Sequence, residues 1–363
     1  MFRPRYRITP ATTKALMEIE ANRQAVVELP IDVGVLASLR QTARLLATHY
    51  STQIEGNRLT QAQVQEALAG GHFPGRERDE EEVRDYYRGL EEVERLAGAS
   101  GPLAELDIRR IHGLVFSGRL TATPYRDGQN VIKDANSGGI VYMPPEAGDV
   151  PLLMVELVAW INDELASGEL PAPIIAAIAH YQFATIHPYY DGNGRTARLL
   201  TTLILHKCGY GLKGIYSLEE YYARNLGAYY TALAVGPSHN YYMGRADSEI
   251  TGFIDYFCRG MADAFTKVRI QAEKASARGA GDLAPLLRQL DPRQRRLLEL
   301  FRGRGSATTS EIAAHLGISP RTVTALCREW VKAGFLALHD PSRKNRSYRL
   351  APEYERLVIS ASA

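Results

Sequence analysis

Between residues 34 and 270, apolar side chains recur every three to four positions. The stretches VGVLASLRQTARLLATHY, EVRDYYRGLEEVERLA, VPLLMVELVAWINDELA and PAPIIAAIAHYQFATI all share this spacing. The period is that of an amphipathic helix and predicts a mainly α body. One segment breaks it. Tyr125 to Pro145, YRDGQNVIKDANSGGIVYMPP, is rich in Gly and Asn around two short β-branched runs and predicts a hairpin or flap. The acidic run ERDEEEVR reads as a solvated helix start. Residues 271–285 shift to Ala, Gly, Ser and charge, the composition of a linker or connecting helix.

A second pattern follows. PLLRQLDPRQRRLLELFRGRG predicts one or two helices, and TTSEIAAHLGISPRTVTALCREWVKAGFLAL predicts helix, turn, helix. Thr308 with Glu311 suits a capping box, Ser319 before Pro320 suits the next helix start, and Gly317 suits the turn between them. LALHDPSRKNRSYRL alternates around a basic turn, as a β-hairpin would. The order predicts a C-terminal winged helix-turn-helix, and no internal repeat is visible.

Length and charge sharpen the division. At 363 residues the chain exceeds one typical domain. Its 43 Lys and Arg nearly balance 41 Asp and Glu, yet residues 283–350 hold 13 basic against 5 acidic side chains. That local excess is the footprint of a small nucleic-acid-binding unit on a body with another task. Cys208, Cys258 and Cys327 lie far apart and match no metal spacing, so reduced thiols, with Cys208 and Cys258 buried, and a cytoplasmic location are expected. The N-terminus is charged and Pro-broken, unlike a signal peptide, and no apolar run approaches the ~18 residues of a membrane span.

The chemistry concentrates in HPYYDGNGR, His187 to Arg195, between two apolar helix-like segments; the second begins near Gly194 and runs to Lys207. The loop feeds a helix N-terminus, where unbonded N–H groups and the dipole favour an anion, and Gly192 and Gly194 let the backbone approach a phosphate. Arg195 and Arg198, three positions apart, offer two guanidinium forks that suit a polyphosphate. Asp191 supplies a hard oxygen for Mg²⁺ or Mn²⁺. His187 is suited to take a proton from a hydroxyl at neutral pH.

This stretch resembles the signature of the Fic family of protein AMP-transferases, matching at His187, Asp191, Gly192, Asn193, Gly194, Arg195 and Arg198. It departs at Tyr189, where the family usually has Phe; the added hydroxyl needs a partner. Upstream, STQIEGN resembles the family's inhibitory motif at Ser51, Glu55 and Gly56. The resemblance implies a Fic helical bundle with a β-hairpin flap over roughly residues 40–265. It implies an N-terminal helical extension (1–110), a catalytic core (111–270), the linker (271–285) and a winged helix domain (286–363). It further implies transfer of AMP from ATP to Ser, Thr or Tyr hydroxyls of an unidentified target protein or of the chain itself. His187 would be the base, Asp191 the metal ligand, and residues 192–198, including Thr196 and Ala197, the nucleotide cradle. Asn193 would orient the α-phosphate, Tyr229 and Tyr230 would contact adenine, and Glu55 would restrain Arg198.

In a DNA reading of the C-terminal unit, Arg321, Thr322 and Thr324 would face the major groove and Arg343, Lys344 and Arg346 the phosphates. A protein-docking or dimerisation unit of the same shape is the competing reading, and it leaves a homodimer open. For the whole chain the alternative to an enzyme is a nucleotide-sensing, DNA-binding regulator with little transfer.

Overall fold

The computed structural model describes residues 2–133, 138–279, 289–301, 304–342 and 346–359. Within them the chain divides into two compact units. One comprises Met1–Leu29 with Ser38–Ala272, the other Pro30–Ala37 with Glu273–Ala363.

The first unit is helical: α1 (Pro10–Glu28), α2 (Val33–Ile54), α3 (Gln61–Leu68), α4 (Glu77–Ala97), α5 (Glu105–Ser117), α6 (Val150–Ser167), α7 (Ala172–Ile186), α8 (Asn193–Lys207), α9 (Glu219–Arg224), α10 (Leu226–Leu233) and α11 (Thr251–Gly279), of which residues 33–37 of α2 and 273–279 of α11 fall in the second unit. The central helix is α7, whose residues are buried along nearly its whole length. A helix apolar on all sides belongs in the middle of a core, and α7 packs against both α6 and α8. Around α8 lie α4 and α5, and Leu199, Leu200, Leu203, Ile204 and Leu205 fill the space between them.

Helix α1 is absent from the periodicity reading. Its buried face is Thr12, Ala15, Ile19, Asn22 and Val26, a helical stripe interrupted by two polar residues. Asn22 donates to Thr266 Oγ1 at 2.9 Å and Thr12 bonds Asp255, so distant partners make these polar positions compatible with the core. The acidic run also departs from a purely solvated start. Glu80, 2% exposed, accepts from the Phe73 N–H at 2.5 Å and from Arg84 at 2.8 Å, anchoring the loop before α4. Helix α11 continues through residues 271–279 as a connecting helix. Residues 280–288, the rest of the linker stretch, lie outside those described. Cys258 is buried as expected, whereas Cys208 is only partly so.

The flap is a short antiparallel hairpin of β1 (Ile132–Lys133) and β2 (Ile140–Tyr142), with Ile132 opposite Tyr142. Its inner residues Asp134 to Ser137 are outside the described set. Just past its second strand the chain is held by residues 239–241. Met143 N–H donates to His239 O at 2.7 Å, and Tyr241 N–H donates to Met143 O at 3.0 Å.

The second unit has helices Pro292–Phe301, Thr309–Leu316, Pro320–Lys332 and Pro352–Ile359 with strands β3 (Ala307–Thr308), β4 (Leu336–Asp340) and β5 (Ser347–Leu350). The strands form an antiparallel sheet in the order β3-β5-β4. The capping box of Thr308 and Glu311, the Ser319 cap and the left-handed Gly317 are all formed. Leu297, Ile312, Val323, Cys327, Trp330, Phe335 and Tyr348 make its core. This is a winged helix-turn-helix. The last helix has no counterpart in the sequence reading.

Candidate active site

Helix α7 ends at His187, whose backbone is left-handed (φ 51°, ψ 58°). A non-glycine residue rarely sits there, although His is one that does. The turn is held from both sides: His187 N–H donates to Phe183 O at 3.0 Å, and Arg126 Nε donates to His187 O at 3.0 Å. The ring's Nδ1 faces Ala184 O at 3.4 Å. A carbonyl only accepts, so the proton belongs on Nδ1 and the lone pair on Nε2. Burial lowers the His187 pKa to about 4, against small opposing contributions from the Ala184 carbonyl and Glu55. The ring is therefore neutral and proton-accepting at physiological pH.

After the loop, Gly192 (φ 77°) caps α8, and the first intrahelical bond runs from Thr196 N–H to Gly192 O at 2.9 Å. The N–H groups of Asn193, Gly194 and Arg195 precede it and have no acceptor within the helix. The Asn193 side chain accepts from Tyr189 N–H at 3.0 Å and donates to Tyr189 O at 2.7 Å, clamping the loop. These two bonds give the side chain a loop-supporting part and use one of the two N–H groups of its amide.

Asp191 is half exposed, with its Oδ1 accepting from Gly192 N–H at 2.6 Å and lying 3.4 Å from Arg195 Nη2. Arg195 and Arg198 are almost fully buried. Arg198 Nε donates to Ser51 Oγ at 2.7 Å, and its Nη2 donates to Ser51 O at 3.0 Å and Glu55 Oε1 at 2.8 Å. Burial, the largest single influence, lowers the Arg198 pKa, but Glu55, Tyr229 and Tyr86 together raise it above the ordinary arginine value. The Glu55 carboxylate also lies directly on Gly194, where an added Cβ would come 2.2 Å from Oε1. An acidic side chain just past the end of α2 thus rests on the N-terminus of α8, where the helix dipole favours an anion. Arg195 Nε and Arg198 Nη1, though buried, have no hydrogen-bond partner among the described residues. Leaving such donors unpaired is costly, and a polyphosphate is the chemistry that would satisfy both.

Tyr229 and Tyr230 separate. Tyr229 is buried, its hydroxyl bonded to His180 Nε2 at 2.8 Å and its ring stacked on Tyr222 at 4.8 Å. It is a core residue, 2% exposed, and this burial counts against the adenine contact expected of it. Tyr230 is half exposed and donates to Ile54 O at 3.3 Å, beside the end of α2. Thr196 and Ala197 are buried in the first turns of α8. The Tyr189 hydroxyl has no hydrogen-bond partner among the described residues, so the partner that the extra oxygen called for is missing.

Several site residues have no signal in the local sequence. Arg126 also donates to Gly128 O at 3.1 Å and to Pro145 O, joining the flap base to the His187 turn. Asn130 donates to Tyr189 O at 3.2 Å. His112 bonds Asp191 O, and Arg78, from the acidic run, lies 3.8 Å from Asp191 Oδ2. Asn57 donates to Asp79 O at 2.8 Å, tying the end of α2 to α4.

In the winged unit Arg321 is exposed. The hydroxyls of Thr322 and Thr324 are taken within their own helix, by Ser319 Oγ and Pro320 O at 2.8 Å each, which leaves their methyl groups for any groove contact. Arg346 is half-buried, its Nη2 near Pro341 O at 3.4 Å. Arg343 and Lys344 lie outside the described residues.

A neutral histidine, free helix N–H groups, two buried guanidinium groups and a carboxylate therefore lie together at the start of α8. Residues 102–205 match the family model described as Fic/DOC family, and residues 293–346 match one described as Helix-turn-helix domain. Residues 102–205, which carry the whole signature, are thus similar to the Fic/DOC family. It is 30% identical over 199 residues to "Protein adenylyltransferase Fic" of Drosophila yakuba, an alignment covering 54% of this chain and 39% of that protein. The chain thus spans about two fifths of the length of the curated relatives it matches. Its fold is similar to a Fic family protein from Desulfovibrio desulfuricans, with a TM-score of 0.60, 24% identity and coverage of 97% and 99% of the two chains. A Fic domain containing signaling protein from Bacteroides thetaiotaomicron also has a TM-score of 0.60, at 24% identity over 74% of this chain and 97% of that one. Among the described residues no helix is long and apolar enough to cross a membrane.

Proposed function

We propose that the protein is an adenylyltransferase that moves AMP from ATP to a hydroxyl of a target protein and is held back by Glu55. The observation that carries the reading is the pair of buried, unpartnered guanidinium nitrogens on Arg195 and Arg198, set beside the α8 N-terminus and a neutral His187. In the reaction, the target Ser, Thr or Tyr oxygen attacks the α-phosphorus, its proton passes to His187 Nε2, and the bond to the departing pyrophosphate breaks. The α8 N–H groups and the two arginines hold the other phosphate oxygens, so the chain contributes positioning and charge neutralisation. Asp191 suits a divalent ion because Mg²⁺ takes only one or two carboxylates from a protein and completes its shell with water and phosphate oxygens. The ion, when bound, would neutralise charge on the phosphates. Activity is therefore expected to require Mg²⁺ or Mn²⁺ and to vanish with EDTA, as followed by labelled-ATP transfer; full turnover in chelator would give Asp191 another role.

The flap supports capture of an extended target segment by β-addition. The chain just past its second strand is bonded at Met143 to residues 239–241, so the outer edge of β1 is the place for such a segment.

The helix-turn-helix match and the local basic excess favour a second role, DNA contact through the C-terminal unit. Binding of the full chain to duplex DNA should weaken steeply as salt rises and fall with Arg321→Ala. Salt-independent binding, or none, would assign this unit to protein docking.

A further inference from the structure

We propose that His112 is a positioning residue that fixes the peptide between Asp191 and Gly192, and through it the aim of the Asp191 carboxylate and of the α8 N–H groups. The consequence for metal and nucleotide rests on the adenylyltransferase reading; the positioning itself does not. His112 stands on α5, 2% exposed, and its Nε2 lies 2.8 Å from Asp191 O. Because that oxygen only accepts, Nε2 carries the proton and Nδ1, buried without a partner among the described residues, is the bare nitrogen. The ring lies flat on Tyr189, with centroids 3.5 Å apart and planes 12° apart, and is backed by Phe116 at 5.6 Å. A Cβ on Gly192 would come 3.1 Å from Nε2. One imidazole therefore touches three of the four loop residues from Tyr189 to Gly192.

Asp191 O and Gly192 N–H belong to the same peptide plane. His112 grips its carbonyl end, and the Asp191 carboxylate accepts from its N–H end at 2.6 Å. A peptide beside a left-handed glycine can turn over at low cost, because glycine accepts conformations closed to other residues. In the turned state the carboxylate would lose the N–H that holds its Oδ1. The histidine bond selects one orientation of the plane, leaving Oδ2 turned toward the open side, where it lies 3.8 Å from Arg78. Partners of this kind, one step removed from a ligand, commonly contribute 10–100-fold in metal affinity.

The test uses the full chain and two readouts on each variant: amide hydrogen exchange of residues 188–195 without nucleotide, and Mn²⁺ binding in the presence of a non-hydrolysable ATP analogue. His112→Leu keeps the volume and removes the donor. It should speed exchange of the Gly192 amide, which the Asp191 carboxylate holds, by roughly tenfold, the worth of one hydrogen bond, and weaken Mn²⁺ binding by about 10–100-fold. His112→Gln, whose amide nitrogen reaches the place of Nε2, should restore both. Unchanged exchange in the Leu variant, or a Gln variant as loose as Leu, overturns the proposal. If His112→Leu does not fold, His112→Gln is compared with the shorter His112→Asn; equal exchange and equal Mn²⁺ binding in those two overturn it as well. If the loop loosens as expected while Mn²⁺ binding is unaltered, the aiming of the carboxylate is refuted. If the loop loosens and the parent chain itself takes up no Mn²⁺ with nucleotide, the positioning stands and the adenylyltransferase reading falls.

Discussion

His187→Ala, placed in a Glu55→Gly background, is expected to lower AMP transfer by about 10²–10⁴-fold, the usual contribution of a positioned general base. ATP affinity should stay near the parent value, because in the proposed reaction the imidazole serves the attacking hydroxyl and the α8 N–H groups and arginines serve the phosphates. The pH profile carries the same information. Burial holds the His187 pKa at about 4, so the free base is already present well below neutrality. As pH falls through that value the ring gains a proton and can no longer accept one, so kcat/KM should fall only near pH 4. An acid limb near the ordinary histidine value of ~6.5 would mean that burial does not govern the base. Labelling by His187→Ala at the parent rate would remove His187 from the mechanism.

The proposed restraint by Glu55 gives the second large expected effect. Its carboxylate lies on Gly194 and bonds Arg198 at 2.8 Å, so it competes with a phosphate for the same donors. The helix that carries it is well anchored. Arg44 pairs with Glu94, and Asn57 bonds Asp79 O, so the carboxylate is held in place rather than swinging free. ATP entering beside it would lose one phosphate contact and be turned from the line of attack, and a displacement of about 1 Å can lower a rate ~10²-fold. Glu55→Gly should therefore raise transfer by about that factor. Arg198→Ala should lower it by about 10²–10³-fold, as loss of one charge-stabilising donor does. Adding Glu55→Gly to Arg198→Ala should recover little, because the restrained group is gone. Additive effects in this four-way cycle at saturating ATP would mean that the two residues do not act as a pair.

What the sequence made legible is what depends on neighbours in the chain. The α7–loop–α8 unit, the glycine nest, the two arginines and the caps of the winged unit all rest on residues within about one turn of each other. The paired Ser51 and Glu55 were readable as a short motif, although their meeting with Arg198 spans 147 and 143 residues. Other features had no local trace. His112 reaches Asp191 from 79 residues away and Arg126 reaches His187 from 61, so neither stands out until the fold brings them together. Polar Thr12 and Asn22 hid the buried face of α1, because their partners are more than 240 residues distant. Tyr229 and Tyr230 are adjacent in sequence, yet packing against His180 and Tyr222 makes one a core residue and leaves the other exposed. Composition alone does not separate such a pair.

The most direct test is mass spectrometry of cell extract incubated with ATP, Mg²⁺ and either the native chain or its Glu55→Gly variant. An adduct with the mass of one AMP unit on a Ser, Thr or Tyr of a discrete protein is the expected result. It should be abundant with the variant, scarce with the native chain and absent when His187→Ala is added. An adduct of another mass would contradict adenylyl transfer, and equal labelling by the native chain and the Glu55→Gly variant would contradict the restraint. No adduct on any protein, the chain itself included, would contradict the account as a whole.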